Sequence, residues 1–282
     1  MSKNKFIEKS IHGVFFLTAL ASVVAVIIIC LFLLINGMPA IGAIGLGDFL
    51  LGTKWLPMEG IFGIFPMIVA SIYVTAGAII IGVPIGLFSA MYLVMFADKR
   101  LYKIIKPGIN LMAGIPSIVY GFFGLMVIVP MFNMIGINKS ILTGSLLLGI
   151  MILPTIITVV ESSLRQVPDS YYKGALALGA TQERSAFMVM LPAAKSGILA
   201  GIALGIGRAV GETMAVVMIA GNQPLMAGSI FDGVRTLTAN IVLEMGYASG
   251  LHQQSLIATA VVLFVFILLI NLSFSLLKRK ID

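Results

Sequence analysis

GIALGIGRAVGETMAVVMIAGN, Gly201 to Asn222, is an apolar stretch long enough to cross a bilayer, yet it carries Arg208 and Glu212 near its middle. An ionised side chain at bilayer depth costs about 2.5–3.5 kcal/mol even on the lenient insertion scale. The four-residue spacing predicts one continuous helix with both charges on the same face. That leaves two readings, a self-neutralising structural pair or a charged lining for the path of a polar solute.

Working outward, the whole chain has the composition this stretch requires. Of its 282 residues 60% are hydrophobic and 10% charged, whereas soluble domains carry about 25% charged residues. The fold class is therefore all-α and polytopic, a membrane protein with apolar helices. The formal charge of +7 sits in short loops between apolar runs, where it sets topology; nucleic-acid binding is not expected. Cys30 is the single cysteine, so the chain offers neither a disulfide framework nor a CxxC metal site.

Runs of about 20 apolar residues predict six transmembrane helices, near Gly13–Ile35, Met67–Met95, Gly108–Val129, Ile141–Val160, Gly197–Ile219 and Leu256–Leu277. The first follows Lys3, Lys5 and Lys9 in the manner of a signal peptide. It is too long for an ordinary h-region and has no clear A-x-A site, so it reads as a retained span. Fourteen of the Lys and Arg residues fall on one side: the N-terminal tail, Lys99–Lys106, Arg165–Lys195 and Lys278–Lys280. Only Lys54, Lys139 and Arg235 fall opposite. The positive-inside rule then places both termini and the loop 165–195 in the cytoplasm. The expected organisation is a first part, 1–66, holding tail, first span and external loop, followed by a five-helix core, 67–282.

The external loops Asn36–Pro66 and Gly221–Gln254 are themselves partly apolar. In the first, Trp55 reads either as an interfacial membrane anchor or as a docking surface for an outside partner. In the second, TLTANIVLEMG, Thr236–Gly246, reads as a short helix, interfacial or re-entrant. Pro84, Pro116 and Pro154 each remove a backbone donor and leave a carbonyl that lipid cannot satisfy. Three kinked helices around a lined cavity are expected. AGIPSIVYG, Ala113–Gly121, adds small residues for close packing and the hydroxyls of Ser117 and Tyr120.

The loop Arg165–Lys195 is too patterned for a plain connector. A short helix around Tyr171–Leu178, a turn at Gly179 using positive φ, and a second helix running on through LPAAKSGI, Leu191–Ile198, form a knob suited to another protein's cleft.

KGALALGATQERSAFMVMLP, Lys173–Pro192, resembles the EAA loop of ABC-importer permeases: Glu-Ala-Ala, three residues, Gly, nine residues, an aliphatic, one residue, Leu-Pro. Gly179, Val189, Leu191 and Pro192 stand in register. AGIPSIVYG, LGIMILPTI (Leu148–Ile156), GATQE and GRAVGETMAVVMIAGN (Gly207–Asn222) together resemble the PstC-type permeases of bacterial phosphate importers, over most of the chain from about Leu50. Lys173 stands where that pattern has Glu, and Gly174 where it has its first Ala.

The resemblance implies an ABC importer type I permease fold in a bacterial or archaeal cytoplasmic (inner) membrane, working by alternating access. Implied partners are a PstA-like sister permease, a PstB-like ATPase dimer and a PstS-like phosphate-binding protein outside. Tyr171, Lys173, Ala175, Gly179, Ala180, Leu191 and Pro192 would couple the chain to the ATPase. Arg208 would offset the charge of phosphate, Glu212 would keep Arg208 from trapping it, and Thr213, Ser117 and Asn222 are further pathway candidates, each equally readable as a packing hydrogen bond.

No G-x-x-x-x-G-K-[ST] loop or HExxH occurs, so the chain is not expected to be an enzyme or to hold a metal or cofactor. ATP and Mg would belong to the partner ATPase. Rival readings are an importer permease for sulfate, molybdate or an organic solute, a secondary transporter, for which no inverted repeat is visible, and a membrane scaffold or sensor.

Overall fold

The computed structural model describes residues 2–281, with side chains described at Glu8 and from 11 to 276. The side chains of Lys3, Lys5, Lys9 and Lys278–Lys280, on which part of the charge asymmetry rests, lie outside the described set.

Four helices are long and apolar enough to cross a membrane, within Ile11–Ile44, Phe65–Met95, Ile141–Gln166 and Gly250–Leu276; two sharply bent helix pairs bring the number to six. The first belongs to α1 (Ser2–Ile44). Its side chains from Val14 to Ile35 are almost all exposed, as expected of a helix apolar all round whose surroundings are lipid or other subunits. It rests on α14 (Gly250–Ile281) where Gly37 comes so close that a Cβ there would lie 2.9 Å from Val261 Cγ2.

The centre of the fold is the pairing of α3 (Phe65–Met95) with α7 (Ile141–Gln166). Small residues make it possible. A Cβ on Gly82 would lie 2.8 Å from Ile152 Cδ1, and one on Gly86 2.8 Å from Ile156 Cγ2. Met151, Ile152, Ile156 and Val160 of α7 are fully buried there. Pro84 and Pro154 both lie inside these continuous helices.

The expected third span is not one rod. Asp98 caps α4 (Lys99–Gly114) by accepting from Leu101 N at 2.7 Å. Pro116 then forces Ile115 into extended backbone (φ −70°, ψ 127°). The chain continues through α5 (Ser117–Phe123), a π turn at Gly124–Ile128 and α6 (Val129–Asn133), bent by 101° from α4. α4 buries Ile109 and exposes Lys99, Arg100 and Lys103, the amphipathic pattern of a helix lying along a surface.

The loop 165–195 contains α8 (Asp169–Ala177), a turn at Gly179 with φ +86°, α9 (Gln182–Ser185), a π turn at Ala186–Met190 and α10 (Leu191–Ala193). The second helix does not run through to Ile198 as expected. The chain turns at Ala194 (φ −93°, ψ 6°) and bends by 75° into α11 (Lys195–Gly211).

Beyond the other ends of the spans, α2 (Leu46–Leu51) leads into the hairpin of β1 (Trp55–Leu56) and β2 (Ile61–Phe62). Trp55 is 5% exposed, which excludes the membrane-anchor reading. It packs edge-on against Phe62 and donates through Nε1 to Glu244 Oε2 at 2.9 Å. α13 (Leu237–Glu244) packs among α3, α14 and α12 (Met214–Ile219), with Asn240 fully buried.

Candidate functional site

The quoted stretch Gly201–Asn222 is two helices. α11 ends at Gly211, Glu212 is extended (φ −70°, ψ 132°), and α12 begins at Met214. Gly207 and Gly211 weaken the helix at this point. The carboxylate of Glu212 completes the break: its Oε1 accepts from Thr213 N at 3.1 Å and Ala215 N at 3.3 Å. A carboxylate is stabilised at a helix N-terminus, where free N–H groups and the helix dipole present positive charge.

This geometry corrects the expectation that Arg208 and Glu212 share one helix face. No ion pair joins them among the described residues. Arg208 Nη1 instead donates to Thr155 Oγ1 of α7 at 3.1 Å. The guanidinium thus faces a neutral hydroxyl, and no carboxylate pairs with it among the described residues.

The other pathway candidates separate. Thr213 lies at the break, its hydroxyl donating to Gly211 O at 3.3 Å. Ser117 opens α5 behind Pro116. Tyr120 is not free to serve a solute, because its hydroxyl donates to Met112 O at 2.9 Å. Asn222 stands at the far end of α12 with φ +60°, donating through Nδ2 to Val217 O at 2.7 Å and through its backbone N–H to Val234 O. It is a turn residue, not a neighbour of Arg208.

From the side of the Trp55 hairpin α13 reaches the break. Thr238 Oγ1 donates to Glu212 O at 3.0 Å, and Leu237 N to Ser71 Oγ of α3 at 3.0 Å. The other end of α13 is fixed by Glu244, 6% exposed, which the sequence reading did not single out. Its carboxylate accepts from Arg235 Nη1 and Trp55 Nε1, and His252 Nε2 lies 2.8 Å away. Arg235 also donates to Asn222 O at 3.0 Å and Asn240 Oδ1 at 3.1 Å. One carboxylate therefore ties the hairpin, the loop after α12 and the start of α14 into a single layer over the break.

At the opposite end, the Glu161 carboxylate of α7 plays the same part. Tyr102 OH, Lys106 Nζ and Arg165 Nε donate to it at 2.7, 2.8 and 3.0 Å, fixing α4 against α7. Arg165 also covers the Tyr102 ring, 4.9 Å from its centroid. Below this hub α8 projects freely: Tyr171 is 53% and Leu178 91% exposed. Lys173 and Ala175 lie on α8, Ala180 donates through its N–H to Ala175 O, and Leu191 and Pro192 lie on α10 at the return. Lys173 Nζ is 3.3 Å from Asp169 Oδ2, both exposed, a pair worth little in water.

A guanidinium with a hydroxyl partner between two charged layers, in a bundle of long apolar helices and two bent helix pairs, is the architecture of a multi-pass membrane protein. Residues 82–282 match the family model of the binding-protein-dependent transport system inner membrane component, and the chain belongs to that family. A probable ABC transporter permease of Bacillus subtilis, YqgH, is 35% identical over 276 residues, covering 93% of this chain and 89% of that protein. Phosphate transport system permease proteins PstC of Mesorhizobium japonicum and Haemophilus influenzae are 34% and 33% identical, covering 79% and 78% of this chain and 75% and 76% of theirs. Among solved structures, the bacterial alginate ABC transporter with its pentasaccharide-bound periplasmic protein aligns with a TM-score of 0.66 at 16% identity, over 95% of this chain and 94% of that one. The inward-facing MetNI methionine transporter aligns at 0.60 and 19% identity, over 81% of this chain and 100% of that one. These two likenesses establish the ABC-importer permease fold.

Proposed function

We propose that this chain is one of two permease subunits of an ATP-driven importer that carries inorganic phosphate into the cytoplasm by alternating access. The observation that carries the reading is Arg208, a guanidinium at bilayer depth with a hydroxyl rather than a carboxylate beside it. Guanidinium groups pair strongly with tetrahedral oxyanions, and the relatives named PstC supply the identity of the anion. Thr213 and Ser117 are kept as pathway candidates. Glu212 acts by capping α12 and so holding the helix break open beside Arg208. Asn222 shapes the external turn.

Both termini, α4 and the loop 165–195 face the cytoplasm in this reading. α8, with Tyr171, Lys173 and Ala175 and the turn at Gly179–Ala180, seats in a cleft of a PstB-like ATPase, which binds ATP and Mg; Leu191 and Pro192 carry its motion into α11. A PstA-like sister covers the open side of the bundle, and a PstS-like binding protein delivers the anion from outside. Lys173 reverses the charge usual at its position and asks for a complementary acidic surface on the ATPase.

Arg208 reads charge and not identity, so sulfate or molybdate is the competing substrate. The purified four-component complex should show ATPase activity raised by its binding protein loaded with phosphate and not by the same protein incubated with sulfate. Stimulation by sulfate alone would replace the substrate.

Gly179→Val places a β-branched residue at φ +86°, a region such residues rarely adopt. The expected result is normal abundance in the membrane with ATP-driven uptake lowered about tenfold or more, the strain of ~1–3 kcal/mol being enough to unseat α8. Wild-type uptake would remove the turn from the coupling mechanism.

A further inference from the structure

α7 is the most enclosed of the long spans, yet one stripe of its inner half is left open. Between Pro154 and Gln166 the buried positions are Pro154, Ile156, Ile157, Val160, Glu161 and Leu164. Val159 and Ser163 pack under Gly201 and Gly197 of α11. What remains open is Thr155, Thr158, Ser162, Arg165 and Gln166. Spaced by three or four residues, Thr155, Thr158, Ser162 and Arg165 form one helical stripe, and none is apolar. Charged side chains in a span face the bundle interior or a water-filled cavity, and this stripe is where Arg208 and Lys106 meet α7.

Two cations reach the same stripe from neighbouring helices. Arg208 of α11 donates to Thr155 Oγ1 at 3.1 Å, and Lys106 of α4 lies 3.4 Å from Thr158 Oγ1. Of the acids nearby, Glu161 is 4% exposed and offset by Lys106 and Arg165, and the carboxylate of Glu212 caps α12. Counting Arg208, Lys106 and Arg165 against Glu161 and Glu212, the stripe carries a net positive charge over the ~15 Å of helix from Thr155 to Arg165.

We propose that Thr155, Thr158 and Ser162, with Lys106 and Arg165 at the rim, form the cytoplasm-facing half of the anion route. It takes a tetrahedral oxyanion from Arg208 and releases it to water. The inference rests on reading the chain as an anion permease. Hydroxyls donate hydrogen bonds without bringing a formal charge, so they replace part of the anion's hydration without the strong pairing that would hold it. Conduction needs that balance between entry and release. Positive charge at the rim excludes cations.

The test uses the complete complex in inside-out vesicles, with Cys30→Ser removing this chain's single thiol, the partner subunits made cysteine-free, and Thr158→Cys, Ser162→Cys or Leu146→Cys added singly. Thiosulfonate reagents of opposite charge are applied, and each rate is divided by that reagent's rate with a free thiol. Thr158→Cys and Ser162→Cys should react, with the normalised anionic rate about tenfold above the cationic one, while Leu146→Cys in the outer half stays at least tenfold slower. Saturating phosphate should slow the Thr158→Cys reaction. Silence at both inner positions, or preference for the cationic reagent, would overturn the proposal. Protection by sulfate but not phosphate would support the route and overturn phosphate as its substrate. In an otherwise native chain, Thr158→Val should lower maximal phosphate uptake about tenfold and Thr158→Ser less than threefold; equal rates in the two would reject the hydroxyl's part.

Discussion

Arg208→Gln is expected to lower phosphate uptake per assembled complex about 10- to 100-fold. A hydrogen bond to a charged group contributes ~1.5–3 kcal/mol, and each ~1.4 kcal/mol is tenfold. The glutamine can still meet Thr155, so assembly should survive. The informative companion is Arg208→Gln with Glu212→Gln. Were the two charges a neutralising pair, removing both would restore activity. Here Glu212 caps α12 instead, so the double variant should be no better than Arg208→Gln and should lose a further ~0.3–1 kcal/mol of helix-terminus stabilisation. Full rescue, measured as uptake normalised to assembled complex, would contradict the geometry of the break.

The largest expected effect on stability belongs to Glu244→Ala. It leaves Arg235, whose side chain is 15% exposed, without its counter-charge, and also strands Trp55 Nε1 and His252. Breaking a buried pair by removing one partner costs about 3–5 kcal/mol. Trp55→Phe, which removes a single donor, should cost only ~1 kcal/mol. Thermal unfolding in detergent orders the two variants. Trp55, the chain's only tryptophan, should also shift its emission to the red in Glu244→Ala as the hairpin opens to water. An unshifted midpoint and spectrum would mean that Glu244 does not hold the layer over the break.

Much of this was legible in sequence because it depends on local pattern. Apolar run length located the continuous spans, and Gly179 at the end of a helical run pointed to the positive φ that the structure has. The expectations that failed did so where a competing partner or a local break overrides helical periodicity. Periodicity put Arg208 and Glu212 on one face, but Thr155 and the N–H groups of α12 compete for those side chains, and the helix breaks at a glycine to satisfy both. Trp55 was placed at an interface since nothing nearby hints that Glu244, 189 residues on, accepts its hydrogen bond. The third span was drawn across Pro116 because Gly108–Gly114 is apolar enough to join it; the lysines at 99, 103 and 106 were the available sign that α4 is a separate amphipathic helix. Thr155, Thr158 and Ser162 were also readable as a three- and four-residue polar series, but only the burial of every other face of α7 shows that the series is open.

The most direct test of the central claim is radiolabelled phosphate uptake into proteoliposomes holding this chain, its sister permease and the ATPase, with loaded binding protein on the side of the Trp55 hairpin and ATP on the side of α8. The account predicts uptake that needs all four components and ATP, and that falls to background when any one is left out. Phosphate uptake by this chain alone, or uptake by the full assembly that is indifferent to ATP, would contradict it.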